Sequence, residues 1–156
     1  MAVISTTPER TFEIGRRIGL SLTLPTNLWL IGTLGAGKTV FAKGLIAGLG
    51  DEESVTSPSF LLAKEHTSGR LKLVHIDLFR VENEKRFKSL GLEDYFDGSW
   101  IVVCEWADRL SGYQEYGGLE VAFEILENGN RYLRPKVLDA TESFDFAGFL
   151  KGEAGK

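Results

Sequence analysis

Apolar positions along this chain change their spacing in a regular order, and that order predicts the elements. Thr7-Pro8-Glu9 starts a helix running to about Leu20, because a threonine side chain caps free amides and proline is tolerated in the first turn. Leu28-Trp29-Leu30-Ile31 is a continuous apolar run that reads as a strand and ends at Gly32. The glycine-rich stretch from Gly32 to Gly37 then leads into Phe41, Leu45 and Leu49 at helical spacing, with Gly50 as the stop. Residues 60–65 and 71–78 flank Thr67-Ser68-Gly69 and predict a hairpin. Asn83 to Leu90 reads as a short charged helix.

Trp100 to Cys104 is an apolar run bounded by Gly98-Ser99 and Glu105, the pattern of a strand covered on both faces in a parallel sheet. Leu119 to Leu126 and Arg131 to Val137 read as strands joined at Asn128-Gly129-Asn130. Thr141 starts a last helix carrying Phe146, Phe149 and Leu150, followed by a polar tail, 151–156, that is expected to fray. No repeat or linker divides the chain. The expectation is a single α/β domain over residues 1–156, with a mixed, mostly parallel sheet flanked by helices as a three-layer sandwich.

Composition narrows the class without changing this picture. With 156 residues, 43% hydrophobic and 26% charged, the chain suits an ordinary globular domain. No stretch approaches the roughly 20 apolar residues of a membrane helix. Residues 1–10 lack the basic and apolar regions of a signal peptide. The single cysteine, Cys104, can form neither an internal disulfide nor a zinc site by itself, which fits a reducing compartment and a cytoplasmic location; it reads as a buried apolar filler. A net charge of −4 disfavours direct, strong contact with a nucleic-acid backbone. Arg16-Arg17 and Lys85-Arg86 with Lys88 lie among glutamates and read as solvated helix faces.

The chemistry is concentrated in Gly32-Thr33-Leu34-Gly35-Ala36-Gly37-Lys38-Thr39, which matches the phosphate loop G-x-x-x-x-G-K-S/T. Glycines let backbone amides turn around a triphosphate, and the N-terminus of the following helix adds positive dipole. Lys38 reaches the β- and γ-phosphates, and Thr39 offers a hydroxyl to magnesium. The string follows an apolar strand and opens an amphipathic helix, as the motif requires. No Asn-Lys-x-Asp string of the guanine-specific type occurs, which favours ATP.

Such a loop needs an acid to hold magnesium and a group to place the attacking water. Glu105 and Asp77 each follow an apolar run, so each is expected at the carboxyl edge of a strand, where ligands bind in open α/β sheets. Thr56-Ser57-Pro58-Ser59-Phe60 lies where switch segments present hydroxyls to the γ-phosphate, although read alone it is a turn. His75 shares a strand face with Asp77 and reads as a hydrogen-bonding structural residue. Trp106 follows Glu105 and, on a continuing strand, points away from it.

Taken in order, GTLGAGKT, TSPSF, HIDLFR, GLEDYF and Glu105-Trp106 resemble the motif series of the TsaE (YjeE-type) ATPases. The resemblance implies an ATP- and magnesium-dependent hydrolase that acts with the TsaB and TsaD proteins in forming threonylcarbamoyladenosine on tRNA. It also implies that contact with tRNA is only indirect. By position it implies that Thr39 and Glu105 are metal ligands, Lys38 the phosphate lysine and Asp77 a further catalytic acid. Thr33 to Thr39, Ser57 and Ser59 would line the nucleotide, with Trp106 and Arg131 beside it. Ser59 replaces a common threonine and keeps its hydroxyl, whereas Phe79 replaces a common tyrosine and loses one. Two other classes remain: a small-molecule P-loop kinase, for which Arg109 alone before Leu119 leaves little room for a lid, and a nucleotide-dependent interaction module with negligible turnover.

Overall fold

In the computed structural model, which describes residues 2–51 and 62–138, the chain runs β1 (Val3–Ser5), α1 (Pro8–Ser21), β2 (Asn27–Gly32), α2 (Lys38–Gly48), β3 (Ala63–His66), β4 (Leu73–Asp77) and α3 (Glu84–Ser89). A 3-10 turn at Leu92–Phe96 leads to β5 (Ile101–Glu105), and two more, at Ala107–Arg109 and Tyr113–Tyr116, lead to β6 (Leu119–Ile125) and β7 (Arg131–Val137). The expected last helix and the segment holding Ser57 and Ser59 lie outside the described residues.

The seven strands form one sheet in the order β1-β7-β6-β2-β5-β4-β3. Its centre is parallel, with β6, β2, β5 and β4 paired in that sense. Both edges are antiparallel, through β1 with β7, β7 with β6, and β3 with β4. Because β1 reverses against β7, it points the same way as the central four. Among the described residues no helix is long and apolar enough to cross a membrane.

Strand parity sorts the core into two layers. Leu28 and Leu30 of β2, Ile101 and Val103 of β5, and Val121 and Phe123 of β6 pack with Ile14, Ile18, Phe41 and Leu45 of α1 and α2. The alternate residues Trp29, Val74, Ile76, Val102 and Cys104 face Phe87, Leu92 and Tyr113 on the other side. Trp29 is fully buried there, with its indole N–H donating to the Gly117 carbonyl at 2.7 Å. Cys104 is buried in the same layer, and burial pushes its thiol well above the usual cysteine range.

Helix ends follow side-chain chemistry. Thr7 and Asn83 each accept a backbone N–H three residues on, at 3.1 and 2.9 Å, which caps α1 and α3. The end of α1 is closed from a distance by Arg70, whose guanidinium donates to the carbonyls of Gly19 (2.7 Å) and Leu22 (3.1 Å).

The two long helices touch through glycine. A Cβ placed on Gly44 would lie 2.0 Å from the Phe12 carbonyl oxygen of α1, and one on Gly15 would lie 2.2 Å from the Phe41 carbonyl oxygen of α2. In an open helix Gly→Ala is favourable by about 1 kcal/mol. Here the added methyl meets backbone that cannot give way, so overpacking costs of about 1–3 kcal/mol or more decide the sign. Gly44→Ala is therefore expected to lower the urea midpoint of unfolding. A raised midpoint would show that the helices have room to separate.

Candidate functional site

The carboxyl ends of β2, β4 and β5 meet beneath the loop 33–37, because parallel pairing sets Leu30 beside Glu105 and Glu105 beside Asp77. The loop is sharply turned. Gly32, Gly35 and Gly37 have φ values of +143°, +78° and +105°, a region that L side chains rarely adopt. Gly32 also has no space for a Cβ, which would lie 2.5 Å from the Phe123 carbonyl oxygen on β6. Gly37 precedes α2 without any side-chain cap, so the first amides of that helix present their positive end at the loop.

Lys38 opens α2 and turns back. Its ammonium donates to the carbonyls of Gly32 (2.6 Å) and Thr33 (2.9 Å) and lies 4.1 Å from the centroid of the Trp106 ring. Burial pushes its pKa below the usual lysine range, opposed by the charges of Glu105, Asp108 and Asp77. The next residue, Thr39, donates its hydroxyl to Glu105 Oε1 at 2.7 Å.

Glu105 continues the parity of Ile101 and Val103, so its side chain faces α2, and it is only 2% exposed. His75, two residues before Asp77 on β4, places Nε2 2.5 Å from Glu105 Oε2. Asp77 lies at the mouth, where its Oδ1 accepts the Phe79 N–H at 3.0 Å. Desolvation raises the Asp77 carboxyl above the usual aspartate range, and the nearby Glu105 charge adds to this, while the Phe79 N–H bond, His75 and Lys38 oppose it.

Trp106 departs from the sequence expectation. On a continuing strand it would turn away from Glu105, but the chain leaves the strand there with φ at +57°, the one positive value for a non-glycine among the described residues. That turn brings the indole over Lys38 and against Phe79, with ring centroids 5.0 Å apart, and the Arg109 guanidinium lies over both rings. Lys38, Thr39, Asp77, Glu105 and Trp106, with the loop from Leu34 to Gly37, line a groove of about 330 Å³. Arg131, at the start of β7, donates to the Gly35 carbonyl at 3.1 Å and to the Gly129 carbonyl. It lines a smaller recess of about 160 Å³ with Ser5, Thr6, Thr7 and Thr11, which shares Gly35, Gly37 and Val40 with the groove.

The fit to a nucleotide and a cation is tested by the donors present. Gly35 has open space where a Cβ would be, so an anion can approach the loop backbone. No three His, Cys, Asp or Glu among the described residues are grouped to hold a metal unaided. A hard cation here would be held by protein oxygens of Thr39 and Glu105, with phosphate and water supplying the rest, the usual preference of magnesium. The residues fit on those terms. Sequence reasoning did not find the recess at Ser5 to Thr11, whose strand β1 is too short for a periodicity signal, nor the link from His75 to Glu105, which depends on register.

The raised Asp77 pKa has a consequence for stability. An acid whose folded pKa lies above its unfolded value binds more protons when folded, so stability falls as pH rises from the unfolded value through the folded one. Asp77→Asn is expected to raise the melting temperature at neutral pH, with the gain shrinking as pH is lowered toward the ordinary aspartate range. A gain that stays constant with pH, or a loss at pH 7, would contradict this.

Comparisons with known proteins place the chain among relatives. The family model for the threonylcarbamoyl adenosine biosynthesis protein TsaE matches residues 5–133. The Treponema pallidum tRNA threonylcarbamoyladenosine biosynthesis protein TsaE is 36% identical over 132 residues, covering 84% of this chain and 96% of that one. The protein of the same name from Nostoc sp. is 42% identical over 127 residues, covering 79% and 77%. The crystal structure of Bacillus subtilis YdiB superposes with a TM-score of 0.72 at 26% identity, covering 99% of this chain and 94% of that one. With a family match that takes in both the glycine loop and the acids at the strand ends, the chain belongs to the TsaE family.

Proposed function

We propose that this chain is a magnesium-dependent ATP hydrolase required for forming threonylcarbamoyladenosine in tRNA, acting with TsaB and TsaD to reset or regulate the complex that performs the transfer. The family relationship supports the pathway. The observation that carries the hydrolase reading is the Thr39–Glu105 hydrogen bond of 2.7 Å at the base of a glycine loop whose lysine, Lys38, is buried in the same groove.

The roles follow from the donors. Lys38 exchanges its two carbonyl contacts for β- and γ-phosphate oxygens, and the α2 amides and loop backbone take the remaining phosphate charge. Thr39 has its hydroxyl hydrogen committed to Glu105, which leaves its oxygen lone pairs for the cation. Magnesium, when bound, neutralises charge developing on the phosphate oxygens. Asp77, half-buried at the groove mouth, orients the attacking water. The recess shared at Gly35 extends the groove toward Thr6, Thr7 and Arg131 and takes the base and ribose.

TsaB and TsaD enter as partners because the TsaE resemblance assigns the transfer chemistry to them, which leaves the ATP cycle to act on their complex. A change of affinity for them between nucleotide states needs about 1.4 kcal/mol for each tenfold step, which one or two hydrogen bonds supply.

Lys38→Ala is expected to weaken ATP binding and abolish phosphate release while the far-ultraviolet circular dichroism is unchanged. Calorimetry and a phosphate-release assay without added acceptor measure both. Parent protein that forms ADP only when a metabolite acceptor is supplied, with the phosphoryl group carried to that acceptor and no free phosphate, would favour the kinase class. Unchanged hydrolysis by the Lys38→Ala protein would overturn the nucleotide site.

A further inference from the structure

His75 is fully buried on β4, and the roles above make no use of it. Its ring nevertheless touches the central acid of the groove, with Nε2 2.5 Å from Glu105 Oε2. Parallel register explains the contact. His75 pairs with Val103 and Asp77 with Glu105, so His75, Asp77 and Glu105 share one face and the ring lies diagonally beside the glutamate. The second nitrogen, Nδ1, is buried and has no hydrogen-bond partner among the described residues. A histidine that only satisfied a core network would use both nitrogens, because a buried polar atom left unmet costs stability. This ring commits one nitrogen to one carboxylate oxygen.

Glu105 has two anchors that behave differently. Thr39 holds Oε1 through a hydroxyl that itself borders the groove, whereas His75 holds Oε2 from a residue sealed in the core. Thr39 keeps its hydrogen on Oε1 while its lone pairs face the groove, so that anchor belongs to the side that a cation would occupy. The contact from His75 lies behind it in the core and holds the carboxylate independently of what the groove contains.

We infer that His75 is a positioning residue for the cation site, fixing Glu105 from behind so that its carboxylate stays aimed at Thr39 and the groove. The inference rests on the reading that Thr39 and Glu105 hold the divalent cation. Groups that orient a metal ligand in this way typically change metal affinity 10- to 100-fold when removed.

The test uses Mn²⁺ as the probe ion, with free Mn²⁺ read by electron paramagnetic resonance during titration of the protein–ADP complex. ADP affinity in EDTA is measured alongside by calorimetry. His75→Ala is expected to weaken Mn²⁺ uptake tenfold or more while ADP affinity in EDTA stays within about twofold of the parent. His75→Gln, whose longer amide reaches Glu105, should restore much of the uptake, and His75→Asn, which is too short, should not. The Gln and Asn pair decides the matter if the Ala variant does not fold. Equal Mn²⁺ uptake by parent and the folded Ala variant, or by the Gln and Asn variants, would overturn the positioning role and leave the cation reading intact. A parent complex that takes up no Mn²⁺ would overturn both.

Discussion

A carboxylate that is 2% exposed at the end of a parallel strand is the constraint around which the groove is organised. Burying such a group is costly unless hydrogen-bond donors meet it. Glu105 is met on both oxygens, by the first turn of α2 through Thr39 and by β4 through His75. Those two bonds join the helix after the glycine loop and the neighbouring strand at one point. They also explain why α2 must sit close to the strand ends, and its position is fixed in turn by Phe41 packing edge-on against Phe123 and by the glycine contacts with α1.

The same point concentrates opposed charges. Lys38 is depressed by burial and Asp77 is raised by it, so each would gain from a counter-charge entering the groove. A phosphate group answers the first need and a divalent cation the second. On the proposed reading, magnesium nucleotide would carry both at once, with Thr39 and Glu105 as the donors from the protein. Such perturbed groups converging in one cleft favour function over accident.

Much of this was legible in the sequence because the signals were local. The run from Leu28 to Ile31, the glycines after it and the helical spacing of Phe41, Leu45 and Leu49 set the loop between β2 and α2, as expected. Two apolar runs ending in acids placed Asp77 and Glu105 at strand ends, and counting by twos would have turned Glu105 toward α2 with Ile101 and Val103. Other features required information that no local window holds. The bond from His75 to Glu105 depends on the register of β4 against β5. Trp106 depends on a backbone turn at a residue type that seldom makes one. Arg131 was placed beside the loop only by family resemblance, because 96 residues separate it from the Gly35 carbonyl it holds. The hydroxyls of Ser57 and Ser59 fall outside the described residues.

Trp106 gives the groove a route to the protein surface. Its indole packs on Lys38 at 4.1 Å and on Phe79, which is 41% exposed, while Arg109 lies over both rings. Cation–π contacts of this kind contribute about 0.5–2 kcal/mol, more when desolvated. If Lys38 left its two carbonyls for phosphate oxygens, as proposed above, its contact with Trp106 would change in length or angle. The indole cannot follow freely, because its backbone sits in a left-handed turn directly after a fully hydrogen-bonded strand. Part of such a response would pass to Phe79 and Arg109, the residues of the cluster that reach solvent. On the proposed reading, a lysine that met phosphate would be joined through one aromatic ring to an exposed arginine, a path from the groove to the outer surface that leaves the sheet in place.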